Sequence, residues 1–196
     1  MEEIKKEKLR TGFTTGTSAT AAAKAALLAI INQIKVENVD VKLPKGSFIK
    51  IPIHFCEFDK NKARCTVIKD GGDDPDVTHG AEIVVDLSFT KNINEIEIDG
   101  GEGVGVVTKP GLGLELNKSA INPTPKKMIN ENLREIAGKC LVEKGIKVII
   151  SVPRGKELGP KTDNPRIGIL NGISILGTSG IVIPFSTASY AASIRQ

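Results

Sequence analysis

Between Ser18 and Ile31 the chain carries alanine at positions 19, 21, 22, 23, 25, 26 and 29, with Leu27, Leu28, Ile30 and Ile31 closing the run. Alanine is the strongest helix former. The helix it builds is apolar nearly all round, and a helix of that kind is buried rather than laid on a surface. Any fold for this sequence must therefore surround a helix on most of its sides. Thr14 or Thr17, in the Thr/Gly loop Thr11 to Thr17, supplies the cap.

The surrounding material reads mainly as strands. Val36, Val39, Val41 and Leu43, then Phe48 to Phe58, then Ala63 to Ile68, alternate as strands do, with a turn at Pro44 to Ser47. Glu82 to Phe89 and Glu95 to Ile98 follow the same pattern. A second helix is predicted over Thr124 to Lys144, started by Pro123 and Pro125 and stopped by Gly145. Ile146 to Val152 is then a strand. Residues 167–194 hold no charged side chain, but Gly168, Gly172, Gly177, Gly180 and Pro184 interrupt them, so they read as buried strands and tight turns rather than a membrane span. A last helix is predicted over Thr187 to Arg195, capped by Ser186. Residues 1–8 read as a tail without the apolar core of a signal peptide.

The 196 residues suffice for one large domain with its own core. With six Phe, one Tyr and no Trp, base stacking on single-stranded nucleic acid is not expected. Residues 1–99 hold fourteen basic and sixteen acidic side chains, and residues 100–196 hold thirteen and seven. A basic second half suits an anionic ligand. Cys56, Cys65 and Cys140 show no CxxC spacing, which argues against a disulfide framework or a zinc site and fits a reducing cytoplasm.

Four loops carry chemistry-bearing residues. Thr14, Thr15 and Thr17 stand at a helix start, where free N–H groups and hydroxyls favour an anion; simple capping is the alternative. Lys69 to Gly80 packs Asp70, Asp73, Asp74, Asp76 and His79 together. Carboxylates this close are expected to raise one another's pKa and to keep His79 protonated to higher pH. Gly100 to Gly113 holds six glycines, together with Glu102, Thr108 and Lys109. Gly101, Gly103 and Gly105 would let backbone approach a ligand, although the spacing is not that of a dinucleotide fold. After the strand at Ile146 come Arg154, Lys161, Thr162, Asn164 and Arg166, which would pair with carboxylates.

Six segments in collinear order resemble the CbiD family: Leu9 to Thr17, Lys69 to Gly80, Gly100 to Leu112, Ala120 to Pro123, Lys161 to Arg166 and Gly172 to Thr178. Ser18 stands where many members have Cys, and Gly71 and Thr124 also depart from the commoner residues. Members continue well past this length, so the chain reads as the N-terminal half: a tail at 1–8, an α+β domain at 9–185, and from 186 a helix leading to a further domain.

The resemblance implies a cobalt-precorrin-5B C1-methyltransferase of cobalamin biosynthesis. It also implies an α+β fold, a mixed sheet packed by helices, of the ribosomal protein S5 domain 2-like kind. S-adenosylmethionine would be the cosubstrate, and cobalt would arrive with the polycarboxylate corrinoid precursor, with no metal site of the protein's own. Within that reaction Asp73, Asp74, Asp76 and His79 are assigned to the chemistry, and the Thr, Gly-rich and basic loops to binding. Neither nucleic acid nor membrane is an expected partner, and self-association stays open. Two other readings remain at this point: a magnesium-dependent nucleotide enzyme using the acidic cluster, and a non-catalytic tetrapyrrole-binding module.

Overall fold

The structure is a computed structural model and describes residues 9–185. In chain order its elements are β1 (Gly12–Phe13), α1 (Thr15–Asn32), β2 (Asn38–Lys42), β3 (Phe48–Pro52), β4 (Phe55–Phe58), β5 (Lys62–Ile68), β6 (Glu82–Thr90), β7 (Ile96–Gly100), β8 (Val106–Val107), α2 (Pro123–Ala137), α3 (Cys140–Glu143), β9 (Gly145–Ser151), α4 (Gly155–Leu158), α5 (Asn164–Ile167), β10 (Ile169–Leu170) and β11 (Ile181–Val182). The expected tail at 1–8 and helix at 187–195 lie outside the described residues.

The α+β expectation holds. A five-stranded sheet runs β4-β5-β6-β9-β7, antiparallel except for the parallel pair β7–β9. Alternation sends Ala63, Cys65, Val67, Ile83, Val85, Leu87, Ile146, Val148 and Ile150 to one buried face. The helix α1 lies across that face and against α2, and it is buried at every residue from Thr15 to Leu27. Its alanines let it approach closely, as the sequence requires. On the other face Arg64 spans to Asp86 with a two-point contact of 2.7 and 2.8 Å, and Lys147 pairs with Glu97 at 3.1 Å. That face is charged and solvated. Cys56 stands opposite Cys65 across β4–β5 on the core side; burial pushes the Cys65 thiol up, with Cys56 beside it adding to the effect.

Three boundaries differ from expectation. The run Phe48 to Phe58 is two strands in two sheets: the Ile53 N–H still donates to the Glu37 carbonyl beside β2 at 2.8 Å, whereas the His54 N–H donates to the Thr66 carbonyl of β5 at 2.8 Å, so the chain changes partner between these two residues. The second helix stops at Ala137, where Gly138 turns with φ 48°. Gly145 is then the first residue of β9 rather than a stop. Helix α1 begins at Thr15, earlier than Ser18, capped by Thr14.

A buried polar pin fastens the β2–β3 hairpin to the helices. Asn132 on α2, 1% exposed, accepts the Lys42 N–H at 2.9 Å and donates to the Lys42 carbonyl at 3.0 Å and the Met128 carbonyl at 2.9 Å. Lys24, the one charged residue of α1, reaches out of the core to the Asp40 carbonyl at 2.8 Å and lies 3.8 Å from Glu135. Removing a partner from buried polar groups costs roughly 1–3 kcal/mol per orphaned group. Asn132→Ala is therefore expected to lower the unfolding free energy by about 2 kcal/mol or more at unchanged urea m-value. A change within about 0.5 kcal/mol, the range of neutral surface substitutions, would mean that apolar contacts alone hold the hairpin.

Candidate functional site

The start of α1 is closed from within. Thr14 Oγ1 accepts the Thr17 N–H at 3.2 Å, and the Gly16 N–H donates to the Leu176 carbonyl at 2.9 Å. Thr15 Oγ1 accepts the Leu176 N–H at 2.9 Å, and the Thr17 hydroxyl donates to the Gly180 carbonyl at 2.7 Å. The N–H donors at Gly16 and Thr17, which a bound anion would need, are thus used by the fold. Of the two readings of this loop, capping is the one its geometry displays, and the anion cradle is corrected on that ground.

The acidic loop is closed at its neck by the Lys69 N–H donating to Ala81 at 2.9 Å and the Gly80 N–H donating to Lys69 at 2.8 Å. Within it each carboxylate has its own partner. Asp70 takes the Arg10 guanidinium at two points and the Gly72 N–H. Asp73 accepts the Arg10 N–H at 2.6 Å, and Asp74 accepts the Phe185 N–H at 3.0 Å. Asp76 accepts from Lys69 Nζ at 2.6 Å, and from the Thr78 N–H and hydroxyl at 2.7 and 2.6 Å. The expected mutual raising of pKa is overturned at two of the four. The hydrogen bond from Arg10 holds Asp70 below the usual carboxylate range despite some burial. Burial pushes the Asp76 carboxyl up, but the Lys69 ammonium and the two Thr78 donors outweigh it and leave Asp76 below its ordinary value. His79 Nδ1 accepts the Gly71 N–H at 3.0 Å, which puts the ring proton on Nε2 in this geometry. Among the described residues no His, Cys, Asp and Glu side chains gather as a metal-binding set.

Of the four carboxylates and His79, only Asp76 lines the cavity beside this loop. The cavity holds about 170 Å³ and is lined by Thr14, Thr15, Lys69, Asp76, Thr78, Thr162, Asn164, Ile173, Ser174, Leu176 and Val182. Lys69 is only 2% exposed, yet it lines this space, with its ammonium on Asp76, which lines it too. Among the described residues Asp76 is its one hydrogen-bond partner. Opposite, the buried Asn164 donates to the Gly172 carbonyl at 3.2 Å and accepts the Ser174 hydroxyl at 3.0 Å. Thr162 Oγ1 donates to the Gly159 carbonyl at 2.7 Å and accepts the Asn164 N–H.

The glycine-rich loop stands behind the cavity. A Cβ at Gly101 would collide with Ser151, at Gly103 with the Val152 carbonyl, and at Gly105 with Ile169, so these glycines admit the protein's own chain. Gly103 and Gly105 bracket Ile173 with backbone bonds of 3.0 and 2.9 Å and so hold a cavity wall. The ligand-approach reading of the three glycines is corrected accordingly. The Glu102 side chain is exposed while its carbonyl accepts from Val152, and Thr108 bonds to the Gly168 carbonyl with the Lys109 stem against Gly168. Arg154 and Arg166 are exposed, each paired among the described residues with an acid three residues away, Glu157 and Asp163, at 3.2 Å; Lys161 is exposed beside Thr162. Lys69, Thr78, Ile173, Ser174, Leu176 and Val182 were missed as site residues, although Lys69, Thr78 and Gly172 to Thr178 lie in segments already singled out. A larger depression of about 530 Å³ on β4–β6 is walled by Glu57, Arg64 and Asp86. It touches none of those segments, and the Arg64–Asp86 pair already satisfies its charges, so the smaller cavity is the better candidate.

The CbiD family model matches residues 2–184. The chain belongs to the CbiD family. It is similar to the cobalt-precorrin-5B C(1)-methyltransferases of Priestia megaterium (50% identical, covering 100% of this chain and 54% of that protein) and Geobacillus sp. (53% identical, 97% and 52%). It also resembles the crystal structure of the cobalamin biosynthesis protein CbiD from Archaeoglobus fulgidus, at 34% identity and TM-score 0.66, over 95% of this chain and 59% of that one. The chain therefore spans about half the length of the curated relatives it matches. The solved likeness is to a CbiD protein and lends nothing to a ribosomal protein S5 arrangement. Among the described residues no helix is long and apolar enough to cross a membrane. Within the CbiD chain, four of the six family-like segments supply the cavity wall, and the Gly100 and Ala120 segments brace it from behind: Ile175 donates to the Ala120 carbonyl at 2.9 Å.

The depressed Asp76 carboxyl makes the site sensitive to acid. Its folded pKa lies below the unfolded one, so its stabilisation is present above the ordinary carboxylate range and is lost as pH falls through the depressed value. Asp76→Asn is expected to cost roughly 3 kcal/mol near neutral pH, because it leaves Lys69 buried and unpaired. The gap to the unsubstituted protein should persist through the ordinary carboxylate range and close only as pH falls through the depressed value, where the unsubstituted carboxyl is protonated too. Urea unfolding at neutral and acid pH measures this; a gap independent of pH would mean that the ion pair contributes nothing.

Proposed function

We propose that this chain is the N-terminal part of a cobalt-precorrin-5B C1-methyltransferase acting in the cytoplasm, with S-adenosylmethionine as donor and a polycarboxylate cobalt corrinoid as acceptor. The methyl–sulfur bond breaks as the bond to ring carbon 1 forms, and the sulfonium leaves as a neutral thioether to give cobalt-precorrin-6A. Such a displacement gains most from holding donor sulfur and acceptor carbon in line. The observation that carries the reading is the meeting of four family-like segments at one cavity containing a buried ion pair.

At about 170 Å³ the cavity is smaller than the roughly 300–1,000 Å³ that encloses a drug-sized ligand. The macrocycle then lies on the rim, beside the loop that follows β9. There the exposed Lys161, Arg154 and Arg166 meet its carboxylates; pairs as solvated as Arg154–Glu157 and Arg166–Asp163 exchange partners at little cost. Lys109 is assigned the same role. Asp73, Asp74 and His79 act by holding the acidic loop that carries Asp76. The magnesium-nucleotide reading is less well supported, because the four carboxylates are already committed, Asp70 and Asp73 to Arg10, Asp74 to the Phe185 N–H and Asp76 to Lys69.

Spectroscopic titration with cobalt-precorrin-5B tests this. Saturable binding is expected, weakened about tenfold or more by combined Lys161→Ala and Arg166→Ala substitution. With S-adenosylmethionine and the C-terminal half of a relative added, the corrinoid should gain one methyl group by mass. Failure of the folded chain to bind the corrinoid, or thermal stabilisation by magnesium-ATP in its place, would overturn the reading.

A further inference from the structure

We propose that the cavity beside Lys69 and Asp76 receives the α-amino-carboxylate end of the methyl donor, its carboxylate on Lys69 and its ammonium on Asp76. The assignment rests on the methyltransferase reading above and adds the location and polarity of the donor.

Unused hydrogen-bonding capacity points to this ligand. An ammonium has three N–H donors, and Asp76 takes one of those on Lys69. A carboxylate offers about four acceptor positions, and Lys69 and the two Thr78 donors fill three on Asp76. Among the described residues two donors and about one acceptor are left over, on two side chains that line the same small space. The other polar side chains of the wall are engaged with the fold: Thr15 with the 174–176 backbone, Thr162 with Gly159, and Asn164 with Gly172 and Ser174.

Charge selects among small ligands. A simple carboxylate arm drawn to Lys69 would be repelled by Asp76, and a simple cation drawn to Asp76 would be repelled by Lys69. A zwitterion satisfies both and brings no net charge into a site whose cation is 2% exposed. The remaining walls, Ile173, Leu176 and Val182, suit a short methylene and thioether chain. Leu176 is 47% exposed, which marks the outer side of the cavity. The sulfonium and nucleoside therefore project outward, towards the rim where the macrocycle is placed.

Calorimetric titration of the 196-residue chain with three probes tests the proposal. S-adenosylhomocysteine carries the whole donor skeleton, 5′-methylthioadenosine lacks the amino-acid end, and L-methionine carries that end alone. S-adenosylhomocysteine should bind about tenfold or more tightly than methylthioadenosine, and L-methionine should compete with it. Lys69→Met should remove the preference for S-adenosylhomocysteine. Because Lys69→Met also burdens the fold, Leu176→Trp serves as a second variant. At a half-exposed position it should keep the urea midpoint and still weaken S-adenosylhomocysteine about tenfold, leaving methylthioadenosine unchanged. Equal affinity for the two nucleosides, or indifference of S-adenosylhomocysteine to Leu176→Trp in a folded chain, would overturn the proposal. If the corrinoid still binds in that case, the donor assignment alone falls; if neither ligand binds a folded chain, the methyltransferase reading falls with it.

Discussion

The burial of α1 on all sides governs the architecture. Water cannot satisfy the first N–H groups of a helix whose residues from Thr15 to Leu27 are buried, so other parts of the chain must. The Leu176 carbonyl takes the Gly16 N–H, Thr14 Oγ1 takes the Thr17 N–H, and the Gly180 carbonyl holds this start in place by accepting the Thr14 N–H and the Thr17 hydroxyl. That requirement brings residues distant in sequence to the start of α1. It also accounts for the lack of charge between Ile167 and Phe185: a segment whose backbone closes a buried helix start, with Ile173 and Ile175 in the core, has little room for solvated side chains. The cavity is formed where this closure meets the acidic loop.

The same logic explains the polar groups that do enter the interior. Lys24 leaves α1 through the gap between α2 and the β2–β3 hairpin, and Asn132 fills that gap with every amide position engaged. Lys69 is different. Among the described residues its one hydrogen-bond partner is Asp76, and it lines the cavity. The contrast between these two lysines is that one pins helix to hairpin and the other stands at the cavity wall.

Glycine density misleads when read for ligand contact alone. Gly103, Gly155 and Gly172 admit one another's backbones, which locks the loop after β7 to the loop after β9 and to the segment before Ile173. A motif rich in glycine can thus be required by a site without touching its ligand. The carboxylates of the acidic loop show the same division of labour. Asp70 and Asp73 hold Arg10, Asp74 caps the Phe185 N–H, and Asp76 alone faces the cavity.

Much of the fold was legible in the sequence, because periodicity is local. The alanine run required a buried helix, alternation marked β5, β6 and β9, and the loop before the helix offered Thr14 and Thr17 as caps, of which Thr14 serves. The change of partner strand between Ile53 and His54 and the early end of α2 at Gly138 depend on what the neighbouring chain offers. The candidate site was legible only as a set of segments. Which carboxylate is free for a ligand, that Arg154 and Arg166 lie outside, and that Lys69 points inward are set by contacts between residues as far apart as Thr15 and Leu176. Composition can say that four aspartates lie in one loop. Only the packed chain decides which of them faces water, which faces backbone, and which faces a buried lysine, because that choice depends on where the rest of the chain has placed its own unpaired groups.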